Sequence, residues 1–338
     1  MDDPIVCADA APCFNEEDGL EEFYLRLKAS IGDAGISSYE VLLVDDGSSD
    51  RTWDIIRMIS HRDKHIRGIK LSRNFGHQAA LTAGLDEADG DYIFIIDSDL
   101  QDPPELLEPM LIKMKNGFDV VYGQRKRRSG ENFFKLTSAK FFYRFLSLMA
   151  DVYIPKDTGD FRLINRRVLN SYKEINESQR FTRGLIAWLG FKQVALPYDR
   201  HPRFAGNTKY PLMKMINFSI DAVTGFSLKP LRMIIILGLI TSGVSFLAFV
   251  YSIYQSIFFN TVPGWASLMT VVCLIGCVQI ICLGVVGEYV GRTFIETKKR
   301  PLYLIQEKAD QEVSSSHQLD SLKQKILDHQ IQEENFFH

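Results

Sequence analysis

Between Met233 and Gly287 the chain has no Asp, Glu, Lys or Arg. Soluble domains seldom run 55 residues without charge, so a single water-soluble body is excluded. Cysteine is scarce. Cys7, Cys13, Cys273, Cys277 and Cys282 have neither metal-ligand neighbours nor the spacing of a secreted disulfide framework, which predicts a reducing compartment. The opening Met1-Asp2-Asp3-Pro4 lacks the basic region and apolar core of a secretory leader, so the soluble part is expected in the cytoplasm. A net charge of −3 gives no electrostatic case for a nucleic-acid partner.

The most informative stretch that is present runs from Asp91 to Pro104. Its apolar run, Tyr92 to Ile96, fits a strand buried on both faces of a parallel sheet. The run stops at Asp97-Ser98-Asp99. Two carboxylates this close belong at a strand end, facing solvent or a counter-ion. Carboxyl ends of strands are where open α/β sheets bind ligands, and hard cations take oxygen donors with phosphate completing the shell. A cation clamp therefore fits Asp97 and Asp99. So does a polar turn before a helix started by Pro103, and the pair alone does not decide.

Residues 5 to 123 alternate short apolar runs with amphipathic ones. Strands are predicted at Ile5–Ala11, Glu40–Val44, Ile66–Leu71, Tyr92–Ile96 and Val120–Tyr122. Helices are predicted at Glu21–Ile31, Thr52–Ser60 (with Asp50 as N-cap) and Gln78–Ala88. This rhythm implies a Rossmann-like, mostly parallel sheet. Asp9 is anomalous, because a central strand should not hold an unpaired carboxylate. Two further polar clusters follow strands: Pro12-Cys13-Phe14-Asn15-Glu16-Glu17 and Asp45-Asp46-Gly47-Ser48-Ser49-Asp50. Each alone is ordinary turn chemistry. Converging on one edge with Asp97 and Asp99, they suit a nucleoside diphosphate.

Beyond Gly123 comes a basic loop, Arg125-Lys126-Arg127-Arg128, then an aromatic and basic segment, Asn132 to Met149. That segment fits either a membrane interface or a helix packed on the domain. Thr158-Gly159-Asp160-Phe161-Arg162-Leu163 reads as a Gly-containing turn, with Asp160 either catalytic or paired to Arg162. Arg200 to Lys209 reads as a mobile loop over an anionic ligand. Leu231–Phe258 and Trp265–Gly287 each exceed the ~20 apolar residues that span a bilayer. Lys229 and Arg232 before them, with Arg292, Lys298, Lys299 and Arg300 after, place both outer ends in the cytoplasm. The expected division is 1–210 catalytic, 211–230 interfacial, 231–290 membrane hairpin and 291–338 cytoplasmic tail.

Taken together, the chain resembles the family 2 glycosyltransferases that act on polyprenyl phosphates, the group that includes dolichyl-phosphate mannose synthase and the bactoprenol glucosyltransferases. The resemblance covers about residues 4 to 305. It rests on the two clusters above, Ser72-Arg73-Asn74-Phe75-Gly76, Asp97 to Pro104, Gly159 to Leu163, Gly287-Glu288-Tyr289-Val290-Gly291-Arg292, and Lys299-Arg300-Pro301. The chain departs from the family in its Ala- and Asp-containing first strand, and in Phe14 where a Tyr is usual.

The resemblance implies a GT-A fold in an α/β catalytic domain, followed by a two-helix transmembrane hairpin. It implies inverting hexose transfer, with glucose from UDP-glucose passed to undecaprenyl phosphate. GDP-mannose, UDP-GlcNAc and a UDP-modified arabinose are the alternative donors. Pro12, Phe14, Asn15, Glu16, Asp46, Asp97, Ser98 and Asp99 would bind the nucleotide sugar. Asp99, helped by Asp97, would hold Mg²⁺ or Mn²⁺. Arg125, Arg128, Arg162, Arg203 and Lys209 would meet the lipid phosphate. Asp160 would act in catalysis, although a phosphate acceptor with a second pKa near ~6 needs little help from a base. A homotetramer in the inner membrane, with catalytic domain and both termini cytoplasmic, is also implied. A processive polysaccharide synthase is disfavoured by the missing Gln-x-x-Arg-Trp motif and the few spans. A lipid-handling protein without catalysis would have no need of three acidic strand ends.

Overall fold

The computed structural model describes residues 6–126, 158–178, 180–200, 229–258 and 264–310. Residues 1–5, 127–157, 179, 201–228, 259–263 and 311–338 lie outside it. With them lie Arg128, Arg203, Lys209, the segment Asn132 to Met149 and the expected interfacial stretch.

The described chain falls into two units. The first is built on one eight-stranded sheet, in the spatial order β7-β5-β6-β4-β1-β2-β3-β8. Its strands are β1 (Val6–Cys13), β2 (Tyr39–Asp45), β3 (Ile66–Leu71), β4 (Tyr92–Ile95), β5 (Val120–Arg125), β6 (Thr158–Asn165), β7 (Gln193–Tyr198) and β8 (Ile305–Ala309). Its helices are α1 (Leu20–Asp33), α2 (Thr52–Arg62), α3 (His77–Glu87), α4 (Leu107–Lys115), α5 (Arg166–Lys173) and α6 (Thr182–Trp188). Strands β1 to β4 pair in parallel, as do β5 and β7. Strands β6 and β8 run against their neighbours. This is the mostly parallel GT-A type of sheet that the resemblance implies.

Apolar strand residues are buried on both faces. Leu42 to Val44 and Ile93 to Ile96 are fully or almost fully inaccessible, which explains their unbroken hydrophobic runs. Phe161 of β6 packs edge-on between Phe94 and Tyr198, with ring centroids 5.4 Å apart in both pairs. A Cβ on Gly123 would stand 2.4 Å from Phe161 Cδ1, so β5 passes this ring only as glycine. The backbone accounts for the odd first strand. Between Ala8 and Ala11, β1 takes one residue more than β2 does between Val41 and Leu43. Asp9 lies in this bulge, which suspends regular pairing with β2, while it stays in register with Ile95 of β4.

Three elements differ from expectation. Thr158 to Leu163 is no turn but the start of a buried central strand, β6. Strand β8 lies in the segment assigned to a tail, yet it pairs antiparallel with β3 from Leu71↔Ile305 to Gly68↔Ala309. Side chains fasten it as well. Trp53 Nε1 donates to Glu307 Oε2 at 3.2 Å, Lys308 Nζ to Glu87 Oε2 at 2.6 Å, and Tyr303 OH to Asp86 Oδ2 at 3.0 Å. Ser72 N–H, just past β3, donates to Leu304 O at 2.9 Å. Finally, β7 was not anticipated at all.

The second unit holds α7 (Lys229–Phe258, 30 residues) and α8 (Trp265–Lys298, 34 residues). Each is long and apolar enough to cross a membrane. Helix α8 continues beyond the apolar stretch as one element, and its polar end carries the i,i+4 pair Glu288–Arg292 at 3.0 Å.

Candidate active site

The loops after β1, β2, β3 and β4 leave the sheet at one edge. Because β6 is antiparallel, its first residues lie at that same edge, beside the ends of β5 and β7. The three acidic clusters therefore converge, joined by residues from β6.

The first two loops are stitched together. Asn15, in the left-handed region at φ 55°, donates its N–H to Ser48 Oγ and accepts from Ser49 N. Glu16 N–H donates to Thr52 Oγ1 at 2.9 Å. Asp50 accepts from Thr52 N at 3.0 Å, so it does bond the first turn of α2 although Arg51 holds the capping position. The Pro12 carbonyl accepts from Ser98 Oγ at 3.0 Å, which ties β1 to the Asp97–Asp99 turn. Phe14 is left 45% accessible, an open ring beside these bonds. Gly47 adopts φ +69°, and a Cβ there would stand 2.5 Å from the Arg73 backbone. Only glycine allows the second and third loops this close.

Asp46 is 2% accessible. Its two oxygens accept from Phe75 N at 2.7 Å and Gly76 N at 3.0 Å. Burial pushes its pKa up, and these two bonds oppose the rise. The carboxylate expected at the uridine is thus turned inward and shapes the loop that leads into α3.

The Asp97-Ser98-Asp99 turn ends on Leu100 at φ 59°, a conformation a bulky residue holds only when its surroundings impose it. Leu100 does so with its side chain in the core. Asp99 Oδ1 accepts from Gln101 N at 3.1 Å. Asp97 keeps 26% of its side chain accessible. Burial pushes its pKa up to about 6, with Asp160, Asp99 and Asp102 adding to the rise and His77 opposing it.

Asp160 is held differently. It accepts from Gln78 Nε2 at 2.9 Å, has His77 Nε2 at 3.2 Å, and faces Arg183 Nε at 3.7 Å. Burial works against its charge, but Arg183, His77 and Arg162 overcome this and hold its pKa far below the usual carboxylate range. Such a group is a poor proton acceptor and a good anionic anchor. His77 is its counterpart. Desolvation disfavours the imidazolium, yet Asp97 and Asp160 raise its pKa to about 9.

Arg162 does not pair its guanidinium with the Asp160 carboxylate in the way expected of a salt bridge. It is 3% accessible and donates to the carbonyls of Asp160 and Gly159, at 3.2 and 2.9 Å. Its guanidinium is thus turned onto the backbone of its own strand. Arg125 does reach the edge. It lies over Gly159, 3.9 Å from Asp102 and 3.4 Å from the Tyr198 hydroxyl. Asp102 is buried, accepts a short bond from Tyr198 OH, and has Arg200 at 3.5 Å. Two guanidinium groups thus share one buried carboxylate at the edge of the sheet.

The donor set at the Asp97–Asp99 turn is carboxylate oxygen, and crowded negative charge raises Asp97 there. Both features fit a hard divalent cation. Among the described residues no three His, Cys, Asp or Glu side chains form a ready-made cage. A cation at this turn would be held by the carboxylates of Asp97 and Asp99 together with ligand oxygens.

Reading the sequence did not find His77, Gln78, Arg183, Tyr198 or the role of Asp102. His77 and Gln78 directly follow the Ser72–Gly76 motif, at the start of a predicted helix, and that position was a usable signal. Arg183 and Tyr198 gave none, since β6 and β7 were not foreseen.

Comparison with known proteins agrees with this geometry. Residues 10–173 match the model of glycosyl transferase family 2, and residues 229–293 match that of the GtrB C-terminal hairpin. The uncharacterized glycosyltransferase YkcC of Bacillus subtilis is 48% identical, over 87% of this chain and 91% of its own. A prophage bactoprenol glucosyl transferase homolog of Escherichia coli is 38% identical, over 87% and 96%. The bactoprenol glucosyl transferase of Shigella phage SfV is 36% identical, again over 87% and 96%.

Proposed function

Since the chain belongs to glycosyltransferase family 2, we propose that it transfers glucose from UDP-glucose to undecaprenyl phosphate, with inversion, at the cytoplasmic face of the inner membrane. The observation that carries this is the joining of two features in one chain: an acidic, nucleotide-type edge on the sheet, and a hairpin of the type found in bactoprenol glucosylation. The first calls for an activated donor. The second supplies a lipid acceptor.

Each residue's part follows from its surroundings. Phe14, open at the edge, stacks on the base. Pro12, Asn15, Glu16 and Ser98 brace the loops around it. Asp46 acts on the nucleotide through the Phe75–Gly76 backbone rather than by direct contact. Asp99 and Asp97 would hold Mg²⁺ or Mn²⁺, which when bound would offset the charge on the departing diphosphate. Arg125 binds the acceptor phosphate, since a guanidinium matches phosphate oxygens. Arg128, Arg203 and Lys209 are placed there by the resemblance. Arg162 fixes the backbone at Gly159 and Asp160.

A phosphate monoester is mostly dianionic at pH 7, with a second pKa near ~6. One of its oxygens forms the bond to the anomeric carbon. The bond from that carbon to the diphosphate breaks on the opposite face, and UDP leaves with the electron pair. No proton has to be removed from the nucleophile. Asp160, kept ionised by Arg183 and His77, orients the sugar or an arginine instead of serving as base. The family resemblance implies a homotetramer, and the positive charges flanking the hairpin put both termini on the cytoplasmic side.

The test is to incubate membranes containing the chain with undecaprenyl phosphate and a panel of labelled UDP- and GDP-sugars, with and without EDTA. Label should enter the lipid from UDP-glucose and fall away with EDTA. No transfer from any donor overturns the function. Transfer from GDP-mannose, UDP-GlcNAc or UDP-arabinose derivatives alone overturns the choice of sugar, and transfer indifferent to EDTA overturns the metal.

A further inference from the structure

We propose that His77 is a positioning residue for this reaction, bridging Asp97 and Asp160 so that two opposed carboxylates keep one geometry. The proposal rests on the glycosyl-transfer reading above. Strands β4 and β6 are paired antiparallel only as far as Ile95↔Arg162. Two further steps of that register, through Ile96 and Phe161, would set Asp97 opposite Asp160. The ladder ends at Ile95↔Arg162, short of the position where two like charges would face each other, an arrangement that drives strand ends apart. His77 occupies this place. Its Nε2 is 3.2 Å from Asp160 Oδ2 and 3.6 Å from Asp97 Oδ1.

The ring is delivered there by its neighbours. His77 is the first residue of α3. The two residues before it, Phe75 and Gly76, are fixed by their N–H bonds to Asp46 at the end of β2. Gly76 turns the chain at φ +99°. The residue after it, Gln78, donates to the same Asp160 oxygen and accepts from Thr182 N at 2.8 Å. The first turn of α3 thereby connects β2, β4, β6 and α6. His77 keeps 44% of its side chain accessible. It fills no core space, so its removal opens no buried cavity and its contribution lies in the bridge.

Loss of the bridge should leave donor binding nearly intact while misplacing the groups around the anomeric carbon. The experiment uses the full chain in detergent micelles with UDP-glucose and undecaprenyl phosphate. His77→Ala is expected to lower kcat by about 10- to 100-fold, with the donor KM moving by less than about 3-fold. His77→Gln, whose amide nitrogen can stand where Nε2 stands, should restore most of that loss. In an Asp160→Asn background, His77→Ala should add far less than it does alone, because residues in one network are non-additive.

A kcat for His77→Ala within about 2-fold of the parent overturns the proposal. So does equal impairment by Ala and Gln, or a fully additive loss in the double variant. Thermal denaturation of the parent, His77→Ala, Asp160→Asn and their double variant gives a readout that needs no turnover. If the parent transfers nothing, the reaction reading fails on its own. The melting shifts then still judge the bridge, supported by non-additivity and overturned by simple addition.

Discussion

At the scale of single residues, burial settles what a charged group can do. Asp46 and Arg162 both looked like ligand contacts in the sequence. Both are turned inward, onto the backbone groups of Phe75, Gly76, Gly159 and Asp160. Residue type and motif position were legible. The direction of the side chain was not, because it depends on strands that the local pattern did not reveal. Asp63, far from notice in the sequence, shows the same principle in a structural role. It accepts from Lys28 Nζ, Tyr24 OH and His65 N at 2.7 to 3.1 Å. These bonds outweigh the cost of burial and hold its pKa well below the usual range. A depressed carboxylate stabilises the fold above its unfolded pKa, ~3.9, and loses that contribution as pH falls toward the folded value. Asp63→Asn should therefore lower stability by about 1–3 kcal/mol at pH 7. The gap to the parent should narrow below about pH 4, read from denaturation of each protein across pH.

Among elements, β2 to β4 and α1 to α3 could be read because period and apolar run agreed with the final burial. Strand β6 could not. Asp160 and Arg162 interrupt its pattern, and the partners that make a buried charge tolerable come from α3 and α6, distant in sequence. Strand β8 was hidden for another reason. Its Ile305-Gln306-Glu307-Lys308-Ala309 is largely polar, as suits an edge strand, and its partner β3 lies more than 200 residues earlier. Yet it closes the side of the sheet next to the Ser72–Gly76 loop. Removing residues 301–338 should therefore speed hydrogen exchange of the β3 amides and lower the melting temperature, by ~2–4 °C for each kcal/mol lost. Unchanged exchange at Ile66 to Leu71 would show that β8 contributes nothing to the edge.

For the whole molecule, β8 changes how the hairpin must be tested. Cutting the chain before α7 removes a strand of the catalytic sheet along with the membrane segment, so a dead fragment would say little about the membrane. The informative variant replaces residues 229–300 with a flexible linker and keeps Pro301 to Asp310. It is expected to transfer sugar to a short, water-soluble prenyl phosphate at near-parent rates. With undecaprenyl phosphate in vesicles it should lose at least ~10-fold, since the tether no longer raises the local concentration of acceptor. Equal rates on both acceptors would remove the hairpin from the reaction.

The same strand sets an order of events during synthesis. About 100 residues separate the end of β7 from the start of β8, and all of the hairpin lies between them. At ~5–20 residues per second the ribosome takes roughly 5–20 s to cross that interval. Throughout it, β3 is an open edge and its loop lacks the Leu304 carbonyl. The nascent sheet cannot be completed until both long apolar helices have been made, so maturation of the first unit waits on synthesis of the second.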